Sequence, residues 1–211
     1  EDDEEKAMKL NRDAVANLAN AAVKLDCLLV HISTDYVFDG TSDHPYTEKD
    51  ATNPQSVYGR TKLEGEQAIK KSGCLYIIIR TAWLYSGYGH NFVKTISRLA
   101  SEWVNDQWGT PTYAGDLAEA IISIMERDDL PELEGVYHFT NEGACTWYDF
   151  AKEIVAIPGA NCKVNPVTTE EYPSKVKRPA YSILDKTKIK ETFNLEIRDW
   201  REALKSCMAT F

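Results

Sequence analysis

Apolar residues recur at helical spacing through the first stretch of the chain. Ala7, Leu10, Ala14, Val15, Leu18 and Ala22 fall on one face, which predicts one helix over residues 2–25. Its acidic opening, Glu1 to Glu5, complements a helix N-terminus. The pattern then changes. Residues 27–33 form a short apolar run with β-branched members, as expected of a strand buried on both faces of a parallel sheet. The run ends in Ser33-Thr34-Asp35. Residues 39–54 are polar, with Asp39-Gly40 and Asn53-Pro54 as turn signals. A helix follows from Tyr58 to about Lys71. A second buried-strand pattern over 75–80 then ends in Thr81-Ala82-Trp83. Strand, helix, strand at this spacing is a βαβ unit.

The second half alternates in the same way. Residues 91–102 read as a helix that runs directly into Trp103-Val104-Asn105 with almost no strand between. Residues 114–127 form a helix with Leu117, Ala120, Ile121 and Ile124 on its apolar side. Residues 135–140 alternate as a strand does, which makes His138 structural rather than catalytic. Thr146 caps a helix reaching about Ala156, residues 163–167 are extended, and Thr168 caps a brief turn. Helices over 184–193 and 200–208 close the chain.

Composition narrows the class. The chain has 211 residues, 43% hydrophobic and 27% charged, enough for one domain or a domain with a lobe. A formal charge of −9 argues against a nucleic-acid polymer or a membrane surface as partner. No apolar run approaches the roughly 20 residues that span a bilayer. No signal peptide is visible. The five cysteines are scattered without metal-like spacing and read as reduced thiols, so a cytoplasmic protein is expected. The four histidines are equally dispersed, and no protein-built metal site is predicted.

The candidate chemistry lies in Tyr58-Gly59-Arg60-Thr61-Lys62. Tyr58 and Lys62 are i and i+4 and share a helix face. An ammonium beside a phenol favours the phenolate and lowers the phenol's pKa, which suits a general acid for a carbonyl oxygen. The same spacing recurs at Tyr148 and Lys152, and either pair could be an inward aromatic beside a snorkelling lysine. Context separates them. Tyr58 follows a strand that ends in hydroxyl residues and precedes a second buried strand, and ligands bind beyond the carboxyl ends of such strands. Tyr148 sits inside the cap Thr146-Trp147-Tyr148-Asp149 and is read as structural.

These blocks, in order, carry a resemblance: Ser33-Thr34-Asp35-Tyr36-Val37-Phe38-Asp39-Gly40, Tyr58-Gly59-Arg60-Thr61-Lys62, Arg80-Thr81-Ala82-Trp83, Asn91-Phe92, Asn105-Asp106-Gln107-Trp108-Gly109-Thr110-Pro111-Thr112 and Arg178-Pro179. Over nearly its whole length the chain resembles the dTDP-4-dehydrorhamnose reductase branch of the extended short-chain dehydrogenase/reductase family. The resemblance implies an α/β fold: a Rossmann-like doubly wound parallel sheet with a smaller C-terminal α/β substrate lobe. Residues 1–102 would be the C-terminal half of the dinucleotide-binding domain, and 103–211 mainly the substrate lobe, interleaved with it. The implied reaction is reduction of the C4 keto group of a dTDP-4-keto-6-deoxysugar by NADPH or NADH. Tyr58 would donate the proton, Lys62 would lower its pKa and hold the nicotinamide ribose, and Thr34 would bind the reacting oxygen. Ile32, Ser33 and Thr81 would border the nicotinamide. Asp35 and Trp83 would lie against the deoxysugar. Asn91 and Arg178 are candidates for the diphosphate, since an arginine fork suits phosphate oxygens. A magnesium ion could assist, with no ligand set identified, and a homodimer is compatible with the family.

The chain departs from that family at its start. Such reductases open with a strand, a glycine-rich turn and a helix that holds the pyrophosphate. Here the nearest approach is Gly87-Tyr88-Gly89, so the sequence is expected to begin inside a larger protein. It also reads as shortened at Glu102-Trp103 and at Ile157-Pro158-Gly159. Two other functions fit the same scaffold. One is a nucleotide-sugar 4-epimerase or dehydratase, which keeps its NAD tightly bound. The other is a non-catalytic regulatory subunit, as in methionine adenosyltransferase.

Overall fold

The computed structural model describes residues 3–96, 101–157, 164–171 and 178–210. Its centre is a parallel sheet of β1 (Leu29–Thr34), β2 (Tyr76–Thr81) and β7 (Gly135–His138), in the order β1-β2-β7. The register sets Ser33 beside Arg80 and Thr34 beside Thr81, so both strands end level. Side chains alternate along β2. Ile78 packs with Val15, Ala19 and Ile69 on one face, and Ile77 and Ile79 pack with Leu117, Ile124, Tyr137 and Phe193 on the other. Both faces are therefore covered, and that is why the strand reads as an unbroken apolar run.

One face carries α1 (Glu4–Met8), α2 (Ala14–Leu25) and α3 (Val57–Ser72). The single N-terminal helix expected from periodicity is interrupted by a π-helical turn, Lys9–Asp13. There the Asn11 amide donates to the Thr61 hydroxyl of α3 at 3.0 Å, a tertiary contact that the period of the apolar residues does not encode. Ser56 caps α3 by accepting from the Gly59 N–H at 3.0 Å, and Gly73 ends it in the left-handed region. The opposite face carries α5 (Ala114–Met125) and α7 (Thr187–Phe193).

A second core gathers Tyr85, Val93, Ile96, Trp103, Phe150, Ile154, Trp200 and Leu204. It is built by α4 (Phe92–Ile96), α6 (Trp147–Ala156) and α8 (Trp200–Met208) with short strands. β3 (Leu84–Tyr85) pairs with β6 (Thr112–Tyr113), β4 (Ser101–Val104) with β9 (Val164–Val167), and β5 (Trp108–Gly109) with β8 (Cys145–Thr146). The expected Thr146 cap on α6 is present and extends to a capping box: Thr146 Oγ1 accepts from the Asp149 N–H at 3.1 Å, and the Asp149 carboxylate accepts from the Thr146 N–H.

Two expected elements differ. Of the helix expected over 91–102, Phe92–Ile96 is helical among the described residues, and Ser101–Val104 is a strand, because its backbone pairs with β9. The helix expected from Leu184 starts at Thr187, whose N–H donates to Asp185 at 2.9 Å. Leu184 itself is fully buried and bridges to Tyr46. The expected shortening after Ile157 falls on Pro158 and Gly159, outside the described residues. No described helix is long and apolar enough to cross a membrane.

Candidate active site

The level ends of β1 and β2 open into a cleft of about 400 Å³. Eight of the expected site residues line it: Ile32, Ser33, Thr34, Asp35, Tyr58, Lys62, Thr81 and Trp83. Tyr36, Ala82 and Leu84 complete the wall. The local sequence explains the convergence. After Thr34 the chain turns through one 3₁₀ turn, Asp35–Val37, and the Thr34 hydroxyl accepts the Tyr36 N–H at 3.2 Å. Thr34 thus caps the turn and faces the cleft at once. The start of α3 presses against that turn. A Cβ on Gly59 would collide with the carbonyl oxygen of Tyr36, so glycine lets the helix approach closely enough to bring Tyr58 beside Thr34.

The Thr34 hydroxyl and the Tyr58 phenol line the same cleft, and the hydroxyl pulls the Tyr58 pKa down. Tyr58 remains 45% exposed, whereas Thr34 and Asp35 are buried. Lys62 donates from Nζ to the Ile32 carbonyl at 2.6 Å, which leaves two ammonium protons for other acceptors. Burial lowers the Lys62 pKa, with Glu66 opposing. Burial raises the Tyr58 pKa, the Asp35 charge adds to the rise, and only the Thr34 hydroxyl opposes it. The lysine ammonium is directed at a strand carbonyl, so desolvation decides. Tyr58 thus keeps its proton at neutral pH.

Beneath the cleft lies a buried ion pair. Arg80 on β2 grips Glu66 on α3 with two hydrogen bonds, 2.9 Å from Nε and 2.7 Å from an Nη, and Ser33 donates to the same carboxylate at 2.5 Å. Glu66 is one helical turn from Lys62 and two from Tyr58. The network therefore ties the helix that carries both to the ends of β1 and β2.

Trp83 forms the outer wall. Its φ is 47°, a left-handed conformation that is an outlier for an aromatic residue and costs on the order of 1–2 kcal/mol. Its indole stacks on Trp147 with centroids 3.6 Å apart. A Cβ on Gly109 would meet the Trp83 ring at 2.6 Å, so this glycine makes room for the indole. Gly109→Ala is expected to displace the indole and lower kcat/KM by about ten- to a hundredfold, the scale of an ångström-level misplacement. Steady-state kinetics with variable substrate check this, and wild-type kcat/KM would separate Trp83 from substrate positioning.

Asn91 and Arg178 do not line the cleft. Asn91 caps α4, accepting the Lys94 N–H at 3.2 Å and donating to the Ser86 carbonyl at 2.7 Å. The Arg178 guanidinium lies 5.6 Å over the Trp147 ring, at the rim that Trp147 shares with Trp83. Sequence reasoning assigned no site role to Trp147, Tyr36 or Glu66. Tyr36 lay inside a quoted block, and its T-shaped contact with Tyr58 at 5.8 Å needs the fold to be seen. Trp147 read only as a helix start.

Hydroxyl, phenol and ammonium at the carboxyl ends of parallel strands define a carbonyl-reductase class of α/β oxidoreductase. Comparison with known proteins narrows the class. Residues 1–211 match the family described as RmlD substrate binding domain. A dTDP-4-dehydrorhamnose reductase of Aggregatibacter actinomycetemcomitans is 42% identical over 220 aligned residues, covering 96% of this chain and 74% of that protein. The crystal structure of a dTDP-4-dehydrorhamnose reductase from Clostridium acetobutylicum has a TM-score of 0.92 and 44% identity, covering 100% of this chain and 75% of that one. That of the Bacillus anthracis dTDP-4-dehydrorhamnose reductase in complex with NADP has a TM-score of 0.94 and 36% identity, with the same coverage. The chain belongs to this reductase family, and it spans about three quarters of these relatives' length.

Proposed function

We infer that this chain carries the reductase activity of its family, the NAD(P)H-dependent reduction of dTDP-4-dehydrorhamnose to dTDP-L-rhamnose. The observation that carries this reading is the meeting of Thr34, Tyr58 and Lys62 in one cleft at the ends of β1 and β2. The donor set fits the nicotinamide end of the cofactor. Lys62 has ammonium protons to offer ribose hydroxyls, and Ile32, Ser33 and Thr81 line the same cleft. When bound, the cofactor supplies the hydride. Thr34 orients the carbonyl oxygen, and Tyr58 gives that oxygen its proton. Asp35 and Trp83 bound the sugar. Arg178, at the Trp147 rim, is our candidate for the diphosphate, and Asn91 supports the same rim through Phe92, whose ring lies 4.6 Å from Trp147.

The division into a dinucleotide part, 1–102, and a mainly substrate-binding part, 103–211, belongs to the same proposal. Their interleaving is supported by β7, which returns from the second part to the central sheet. A cytoplasmic location is supported by the free thiols of Cys27, Cys74, Cys145 and Cys207. Dehydration is disfavoured, because Asp35-Tyr36 stands where the dehydratases carry Asp-Glu beside the threonine.

The test is NADPH and NADH oxidation in the presence of dTDP-4-dehydrorhamnose. The expected result is stoichiometric formation of dTDP-L-rhamnose. Absence of oxidation with either cofactor, or release of bound NAD on denaturation, would replace this reading with the regulatory or epimerase alternative.

A further inference from the structure

Asp35 has an unusual setting for a carboxylate. Its residue is 97% buried, yet it lines the cleft. Its Oδ1 lies 3.0 Å from the Thr34 hydroxyl, and its Oδ2 has no hydrogen-bond partner. Among the described residues no cation lies within 4.0 Å of it. The groups that act on it or feel its charge are the hydroxyls of Thr34 and Ser182, the backbone N–H groups of Asp35 and Tyr36, and the phenols of Tyr36 and Tyr58. Arg178 acts on Tyr36. A buried carboxylate with an orphan oxygen and no cation is poorly solvated, whereas the neutral acid can donate to the threonine. In line with that geometry, burial pushes the Asp35 pKa up to about 7, against the weaker pull of the Thr34 and Ser182 hydroxyls and of the Asp35 and Tyr36 N–H groups.

Resting on the reductase reading, we propose that Asp35 is the proton store of the site and recharges Tyr58 through the Thr34 hydroxyl after each turnover. The transfers balance. The Tyr58 O–H bond breaks as the new O–H bond forms on the sugar oxygen. The phenolate takes the Thr34 hydroxyl proton, and the threonine oxygen takes the proton of the Asp35 carboxyl. Asp35 is left as a carboxylate and regains a proton from solvent through the cleft. The store is full when Asp35 is protonated, so turnover falls as pH rises past its midpoint.

Two measurements on the full chain decide. With ¹³C-labelled aspartate, the carboxyl carbon that disappears in Asp35→Asn should titrate in the wild type with a midpoint near 7. A midpoint below about 5, close to an ordinary aspartate, overturns the proposal. In steady-state kinetics, Asp35→Asn should lose the alkaline fall in turnover and run about tenfold or more slower at pH 6, the lower end of general acid–base effects. Asp35→Glu should restore the fall. A wild-type pH profile in a folded Asp35→Asn overturns the proposal. If that variant does not fold, the resonance is assigned through Asp35→Glu and the wild-type titration decides alone. An inactive Tyr58→Phe beside an Asp35→Asn with the wild-type pH profile would reject only the proton store. A fully active Tyr58→Phe would reject the reductase mechanism itself.

Discussion

Tyr58→Phe lowers turnover by at least about a hundredfold and leaves nicotinamide-cofactor affinity close to wild type. The size follows from general acid catalysis, which contributes roughly 10²–10⁴. The substitution removes one oxygen, keeps the ring against Tyr36, and leaves Lys62 on the Ile32 carbonyl. Binding and chemistry should therefore separate: kcat falls, while the dissociation constant from fluorescence titration of NADPH changes little. The internal control is Tyr148→Phe. Tyr148 packs against the second core and shares the i,i+4 spacing with Lys152, yet it is not among the residues that line the cleft. Its variant should turn over at the wild-type rate. A hundredfold loss there, with an active Tyr58→Phe, would show that the other pair does the chemistry.

Arg80→Met destabilises the protein by about 3–5 kcal/mol, the usual cost of removing one partner from a buried ion pair. For a chain of this size that corresponds to roughly 6–20 °C in Tm. Both partners are almost completely buried, and the arginine also lies 5.2 Å over the Phe38 ring. The pH dependence carries the sign. In the wild type, burial pulls the Glu66 pKa up, but the hydrogen bonds and charge of Arg80, helped by Ser33, pull it below its ordinary value. Its contribution to stability is thus present above the unfolded carboxylate pKa and is lost as pH falls through the depressed folded value. Without Arg80, burial prevails and the Glu66 pKa rises. The variant should then gain stability as the pH is lowered from neutral, the reverse of the wild type. Thermal melts at pH 5 and pH 8 check this. Equal losses at both would mean that Glu66 finds another cation, Lys70 at 4.0 Å being the nearest at hand.

Much of the site was legible because its chemistry is concentrated at strand ends. The run into Ser33-Thr34-Asp35 and the run into Thr81-Ala82-Trp83 each announce a buried strand and the point where it stops. Both strands stop at one level, so the residues that follow them meet. What periodicity could not convey was contact between distant segments. Trp147 stacks on Trp83 across 64 positions of sequence, and neither residue's neighbours signal the other. The two-residue strands β3, β5, β6 and β8 are too short to show alternation, and they exist only because their partners hold them. The surroundings of Lys62 were hidden for a related reason. Spacing places Lys62 on the same helix face, but it does not reveal that a strand carbonyl claims the ammonium.

The strand order has a consequence for how the protein is made. β2 is the middle strand, and its second partner, β7, ends roughly 60 residues later. A ribosome working at ~5–20 residues per second needs several seconds to cover that distance. During that time the Ile77–Ile79 stretch has β1 on one side and a bare hydrogen-bonding edge on the other. The nascent chain is therefore most exposed to mispairing after α3 has formed and before His138 has been added, and that interval is when a chaperone would have something to hold.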